Sequence, residues 1–549
     1  MKALCQTFCH AERKEDGTFT SFSLSYPENF NFGYDVVDVI AAEAPEKRAV
    51  VWCDETGADR TLTFAEISAL SSQAAAFLSK QGVKKGDRVL LLLKRYFEYW
   101  YVLPALHKIG AVAVPATHML SASDIVYRAN SANIRTIICA GEDELCSKVR
   151  EAAQEVKIIN HLYCVRSEQE GFVRLDTAMA AETTSFPRVD THVTEPMLMY
   201  FTSGTTGYPK MVTHNYTYPL GHIVTARYWQ CVMDDGLHLT VADTGWAKAS
   251  WGKIYGQWLC GSAVMVYDYD RFDGKAMMNI LEKYGVTTFC APPTVYRLMA
   301  KTGIRPEAFR SVKHVSTAGE ALQKEIIRMF HESTGLEIME GYGQTETTLI
   351  IGNFTGASPK RGSMGKPSPL YDVMLVDADD NPVPDGEAGE IVINTRERMP
   401  EGLCMGYSNN PDANARYWKN GLFRTGDMAY RDEDGYYFYI SRADNIIKSS
   451  GYRIGPFEVE SALIKHPAVI ECAVTGVPDE QRGNIIKASV VLAEGYAASD
   501  ALAKELQVFV KDRTAPYKYP RIVEFVTELP KTISGKIRYN VIREKDAQK

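Results

Sequence analysis

The sequence predicts a large α/β N-terminal domain of layered sheets and helices, followed by a small α+β C-terminal domain. Three observations lead there. The chain has 549 residues, too many for one compact core. Short apolar runs alternate with longer amphipathic stretches, and that alternation implies parallel sheets with helical cover. From about Gly402 the texture changes to a set of short, closely spaced elements.

Thr63 to Lys80 reads as a helix, with Thr63 as its cap and Glu66 three residues on. Val89 to Leu93 is apolar throughout and reads as a buried strand, as do Ala111 to Val114 and Val264 to Tyr267. Between the first two, Tyr96 to Ile109 reads as a helix. Tyr436 to Ile440 is an aromatic strand, followed by the polar stretch Ser441 to Asn445. The domain boundary is placed at Asp444, giving residues 1–443 and 444–549. Beyond it come a helix from about Pro456 to Lys465, stopped by Pro467, a strand from Val469 to Val474 and a helix over about Ser499 to Arg513. That is enough for an α+β domain of about a hundred residues.

Hydrophobic residues make up 45% and charged residues 23%, the balance of a globular enzyme. A net charge of −7 argues against a nucleic-acid or anionic-membrane protein, since no basic excess exists to displace counterions. No apolar run approaches the roughly 18 residues needed to cross a bilayer. Met1 to Lys14 has no secretory apolar segment. The eleven cysteines are scattered, with no CxxC pair. Cys5, Cys9 and His10 make a poor zinc site, so free thiols in a reducing, cytoplasmic compartment are expected.

The strongest local signal is Tyr200-Phe201-Thr202-Ser203-Gly204-Thr205-Thr206-Gly207-Tyr208-Pro209-Lys210. Met197 to Phe201 reads as a strand running straight into this loop. Two glycines let backbone N–H groups turn toward one point. Ser203, Thr205 and Thr206 add hydroxyl donors, and Lys210 adds a cation. The loop suits a polyphosphate but is not a Walker A loop, because the glycine-to-lysine spacing differs and no Ser or Thr follows the lysine. The bland alternative is a hydroxyl-rich turn with no ligand. No dinucleotide GxGxxG turn, GxSxG elbow or HExxH zinc helix competes with it.

This segment resembles the phosphate signature of the adenylate-forming superfamily, which includes acyl-CoA synthetases, peptide synthetase adenylation domains and luciferases. The resemblance continues to Lys536 and is nearest to the medium-chain acyl-CoA synthetases. It implies an ATP-dependent acid–thiol ligase that makes an acyl-adenylate, with ATP, Mg2+ and coenzyme A as cofactor and co-substrates. Thr202, Ser203, Gly204, Thr205, Thr206, Gly207 and Lys210 would hold phosphates. Tyr342-Gly343-Gln344-Thr345-Glu346-Thr347 looks like the second signature. A glutamate beside a triphosphate needs a cation between them, so Glu346 is the candidate Mg2+ ligand. Thr345 would meet the α-phosphate and Tyr342 the adenine face. Ser316-Thr317-Ala318-Gly319-Glu320 resembles the adenine strip, placing Gly319 and Glu320 on the base. Thr425-Gly426-Asp427 resembles the ribose turn, with Asp427 accepting the ribose hydroxyls; without the resemblance it would read as a routine turn.

Arg442-Ala443-Asp444 resembles the hinge, with Arg442 reaching the nucleotide and Asp444 at the pivot of a mobile small domain. The family usually has a second acid next, where this chain has Asn445. Gly451, Tyr452 and Arg453 fall where the CoA arm would pass. Pro530 to Lys536 matches the C-terminal signature, and Lys536 is the candidate catalytic lysine.

The chemistry explains this inventory. A carboxylate attacking the α-phosphate brings two anions together, so cations and donors are needed rather than an acid–base dyad. The second step needs a thiol at the adenylate carbonyl, where the lysine of the first step stands in the way. A hinged domain presents two faces in turn.

The acid is read from Gly343 and Trp246. In acetate-specific relatives a tryptophan closes the pocket at the position Gly343 holds, so glycine implies something larger than acetate: medium-chain, branched or aryl. Trp246 would wall the pocket, unless Trp246 and Trp251 are simply core aromatics. Lys248 and Lys253 are read as surface residues in preference to partners of a polar acyl group. Two other readings stay open: a stand-alone enzyme loading a carrier protein, and a nucleotide sensor without turnover. Small-molecule acid and CoA are the expected partners, with no nucleic acid, no membrane span and an oligomer permitted.

Overall fold

The computed structural model describes residues 3–202, 209–320, 322, 324–449, 452–479, 482–532 and 536–547. They fall into two compact units. The first draws on the described parts of Met1–Thr202, Lys210–Asp372 and Thr395–Ala415, and the second on those of Val373–Asn394 and Arg416–Lys549. Residues 373–394 and 416–443 thus pack with those beyond Asp444.

Two large sheets build the first unit. One is eight-stranded, in the spatial order Gly406–Ser408, Lys210–Asn215, Pro196–Thr202, Val112–Pro115, Arg88–Leu92, Thr136–Ala140, His161–Val165, Val173–Arg174. Its central strands are parallel. They read as unbroken apolar runs because both faces are covered. Leu90, Leu92, Val112, Val114 and Ile137 pack with Val149 of the helix Asp143–Glu155 in one core. Pro196–Thr202 lies parallel to Val112–Pro115, and Lys210–Asn215 returns antiparallel to it. The second sheet has nine strands. It is parallel from Arg48–Asp54 through Ala263–Asp268, Leu237–Thr240, Thr288–Cys290 and His314–Ala318 to Ile338–Tyr342.

The helices follow local signals closely. Phe64–Lys80 starts on a reciprocal capping box between Thr63 and Glu66. The helix over Tyr99–Ile109 starts later than its apolar pattern, because residues 96–98 form a tight turn first: Tyr99 N–H bonds the Tyr96 carbonyl at 3.1 Å. Its Lys108 is fully buried and is compensated by Asp38 at 2.7 Å.

The second unit carries a five-stranded sheet over Val373–Val376, Gly389–Asn394, Leu422–Arg431, Trp418–Lys419 and Tyr437–Arg442. It also carries a three-stranded sheet over Val469–Asp479, Gly483–Leu492 and Ile522–Phe525. Helices Pro456–Leu463 and Asp500–Lys511 cover the latter, with Val459, Leu463, Val474, Ala488 and Leu506 in its core. The strand from Val469 runs past Val474 to Asp479, through Gly476 and Pro478, because it is one arm of a long antiparallel hairpin. Pairing along the hairpin overrides two residues that read as breakers.

Candidate active site

In the first unit the candidate residues gather at strand ends. Thr202 ends one strand and Lys210 opens the next, paired in register. Ser203, Gly204, Thr205, Thr206 and Gly207 lie outside the described residues. Gly319 and Glu320 follow the strand His314–Ala318, Gly319 at φ +112° and Glu320 with Arg297 at 3.6 Å. Tyr342 ends the neighbouring parallel strand and is half-buried. The turn after it is closed by Gln344 N–H on Thr347 Oγ1 at 3.1 Å and Thr347 N–H on the Gln344 carbonyl at 3.2 Å.

Two residues outside the sequence reading touch that turn. Tyr407 donates its hydroxyl to Glu346 Oε1 at 2.8 Å. His214 Nε2 lies 2.8 Å from the Thr345 carbonyl and donates to it. Burial pushes the His214 imidazole down to about 3, so it is neutral. Lys210 Nζ sits 5.4 Å from the centre of the Tyr407 ring. Tyr407 therefore meets both Lys210 and Glu346. No local pattern marks it, since 61 residues separate it from Glu346.

Tryptophans close against the glycines of the same segment. A Cβ on Gly341 would stand 2.6 Å from Trp229, and one on Gly343 would stand 2.3 Å from Trp251. The space beside Gly343 is therefore taken by Trp251, while Trp246 caps the start of the helix Ala247–Gly252 and is half-buried. Ser250 of this helix bonds Tyr200 at 2.6 Å, tying it to the strand that leads into the phosphate loop. Lys248 is half-buried and donates to the Ala318 carbonyl at 2.8 Å, at the end of the strand His314–Ala318. Lys253 is not at the surface. It is 2% exposed, beside Trp100, and burial aided by Arg95 pushes its ammonium down to about 7. The surface expectation fails for both lysines because a parallel sheet with helices on both faces buries such connections.

In the second unit the Thr425-Gly426-Asp427 turn is tightly determined. Gly426 has φ +71°, and a Cβ there would stand 2.9 Å from the Arg442 guanidinium. Arg442 donates to the Thr425 carbonyl at 3.0 Å and lies 3.6 Å from Asp427 and 3.7 Å from Asp444. Asp427 is buried, with the Tyr439 hydroxyl 3.4 Å away. A cavity of about 160 Å3 opens here, lined by Arg416, Tyr417, Arg424, Arg442 and Asp444 among others. Asn445, where the family usually has an acid, accepts from Arg543 at 2.9 Å, and Arg543 also donates to the Asp444 carbonyl at 3.1 Å.

Lys536 is exposed; its N–H donates to Thr532 Oγ1 at 3.1 Å and its carbonyl accepts from Thr532 N–H at 2.8 Å. Tyr452 is exposed and stacks on Tyr517 with ring centres 4.0 Å apart. Arg453 follows it in the strand Tyr452–Ile454. Gly451 lies outside the described residues. All eleven cysteines are free thiols. Among the described residues no cluster of three or more His, Cys, Asp or Glu could hold a metal by itself, and no helix is long and apolar enough to cross a membrane.

Comparison with known proteins gives the family. Residues 37–407 match the family model of the AMP-binding enzymes, and residues 458–536 match that of the AMP-binding enzyme C-terminal domain. The chain is 41% identical over 535 residues to the human mitochondrial acyl-coenzyme A synthetase ACSM3, covering 96% of this chain and 91% of that protein. It superposes on the anthranilate CoA ligase AuaEII bound to anthranoyl-AMP with a TM-score of 0.85 at 27% identity, covering 95% and 98% of the two chains. It superposes on a benzoate CoA ligase from Burkholderia xenovorans LB400 with a TM-score of 0.82 at 27% identity, covering 94% and 100%.

Proposed function

The chain belongs to the AMP-binding enzyme family, and from that premise we propose that it is an AMP-forming acid–CoA ligase. The observation that carries this is Tyr407, which brings Lys210 of the phosphate signature and Glu346 of the second signature to one side chain.

The reaction runs in two steps. A carboxylate oxygen attacks the α-phosphorus of ATP, the bond to the β-phosphate oxygen breaks, and pyrophosphate leaves. The CoA sulfur then attacks the acyl carbonyl, its proton goes to solvent, and AMP leaves. In step one, residues 202–207 and Lys210 hold the phosphates, Thr345 meets the α-phosphate, and Lys536 offsets the charge growing there. Tyr342, Gly319 and Glu320 take the adenine, and Asp427 and Arg442 the ribose and its surroundings. Glu346 fits Mg2+, because this hard cation takes one or two carboxylates together with phosphate oxygens, and the Tyr407 hydroxyl holds one Glu346 oxygen at a defined place. When bound, Mg2+ would neutralise phosphate charge.

Asp444 is the hinge between residues 1–443 and 444–549 in this reading. Gly451, Tyr452 and Arg453 line the approach of the CoA arm in step two. The acid is medium-chain, branched or aryl, in a pocket bounded by Trp246, Gly343 and Trp251; the anthranilate and benzoate ligases support the aryl option. The free thiols suit a reducing compartment, here the cytoplasm, and cell fractionation tests that against the mitochondrial location in the human relative's name.

The test is a panel of carboxylic acids, from acetate through branched and aromatic acids to decanoate, scored for AMP formation with CoA. The reading expects acid-dependent AMP formation with a maximum above propionate. AMP formation that needs a carrier protein in place of CoA, or none with any acid, would overturn it.

A further inference from the structure

We propose that Tyr407 and His214 are positioning residues that set the Thr345–Glu346 segment against Lys210. The proposal rests on the ligase reading, in which Glu346 meets the metal of the bound nucleotide.

The register of one strand pair carries the argument. Tyr407 lies directly opposite Val212 in the antiparallel pairing of Gly406–Ser408 with Lys210–Asn215. Directly opposed residues share a face of the sheet, and alternate residues of a strand share a face. Lys210, Val212, His214 and Tyr407 therefore stand on one face. That face presents two polar groups to one short segment, the Tyr407 hydroxyl to Glu346 Oε1 and the His214 N–H to the Thr345 carbonyl, and the Lys210 ammonium lies over the Tyr407 ring. The main chain reinforces it, with Cys404 N–H on the Glu346 carbonyl at 2.8 Å and Met405 N–H on the Thr213 carbonyl at 2.8 Å.

Tyr407 is itself held in place. Asn414 accepts from its N–H at 2.8 Å and donates to its carbonyl at 2.9 Å, taking the part of a further strand. His214 stacks on Tyr218 at 3.8 Å, and its burial keeps it neutral with Nε2 carrying the proton. The strand that begins at Lys210 thus holds the Thr345 carbonyl, and its neighbour Gly406–Ser408 holds the carboxylate that would meet the cation. A hydrogen bond that orients a ligating carboxylate is worth about ten- to a hundredfold in metal affinity.

The test uses the full chain with Mn2+ as probe, titrated by electron paramagnetic resonance in the presence of the α,β-methylene analogue of ATP. Tyr407→Phe should weaken Mn2+ binding about tenfold, with affinity for the metal-free analogue within about twofold of the parent and an unchanged thermal midpoint. His214→Phe should weaken Mn2+ binding in the same way, and His214→Gln, which keeps an N–H donor, should restore most of it. Unchanged Mn2+ affinity in Tyr407→Phe would overturn the proposal. So would a loss matched by the metal-free analogue and a fallen midpoint, or a His214→Gln as impaired as His214→Phe. Acid-dependent ATP–pyrophosphate exchange by the parent chain is measured alongside. A parent that binds Mn2+ with the analogue yet shows no exchange sinks the ligase reading, while the Mn2+ series still decides the positioning roles.

Discussion

Trp251 packs so closely on Gly343 that a Cβ added to the glycine would stand 2.3 Å from its indole Cη2. The Thr348 carbonyl would be 2.6 Å from that added Cβ. The indole therefore occupies the space that a side chain at position 343 would need. Trp251 is buried, with Trp229 edge-on at 6.3 Å, so its ring has little freedom to swing away. Trp251→Ala should lengthen the acid accepted, raising kcat/KM for decanoate relative to butyrate about tenfold or more, since one methylene in an apolar pocket is worth about that much. An unchanged chain-length profile would place the acid elsewhere.

Lys536 is exposed, with its N–H on Thr532 Oγ1 at 3.1 Å. Lys536→Ala should lower acid-dependent ATP–pyrophosphate exchange about a hundredfold or more, while thioester formation from supplied acyl-adenylate persists. Equal loss in both half-reactions would remove the lysine from its assigned step.

Gly451→Leu should do the reverse. If Gly451 lines the approach of the CoA arm, as proposed, a branched side chain there would obstruct the thiol and leave the nucleotide untouched. Exchange should stay near the parent value and thioester formation should fall. A variant slowed mainly in exchange would assign Gly451 to the first step instead.

Lys253 gives a stability prediction with a defined sign. Its folded pKa, about 7, lies below its ordinary 10.5. Between these values the unfolded chain binds a proton that the folded chain does not, so this residue makes stability rise with pH across that window. Below about 7 both states are protonated, and the folded state carries the full cost of a buried ammonium. Lys253→Met should therefore raise the thermal midpoint over the parent most clearly below pH 7. The advantage should shrink toward pH 10. Calorimetric scans of both proteins across that range check it, and an advantage that does not depend on pH would mean that the lysine is charged and paired in the fold.

Much of the molecule is legible from short stretches of chain. The Thr63–Glu66 capping box forms as its spacing implies, because a helix start is decided within one turn. The turn at Gly426 is likewise written in the glycine, which has positive φ and no room for a Cβ beside Arg442. Other features were not readable. Pro478 looks like a strand breaker and yet pairs opposite Asn484, since the hairpin partner holds it. Lys253 looks like a surface cation and is buried, because only the packing of its helix on the sheet decides which side faces inward.

The sequence by itself offered the residue types to look for, a glycine- and hydroxyl-rich loop ending in Lys210, a carboxylate at Glu346, a turn at Asp427 and a late lysine at 536, and the family resemblance gave the last two their expected roles. Those are choices of residue type within short spans, where caps, turns and charges act locally. Only the tertiary structure decided that Tyr407 meets Glu346 across 61 residues, that His214 meets Thr345 across 131, and that Trp251 rather than a residue at 343 fills the space there. Those meetings depend on strand order and register between distant segments. The chain reaches them through loop closures that no short-range periodicity records.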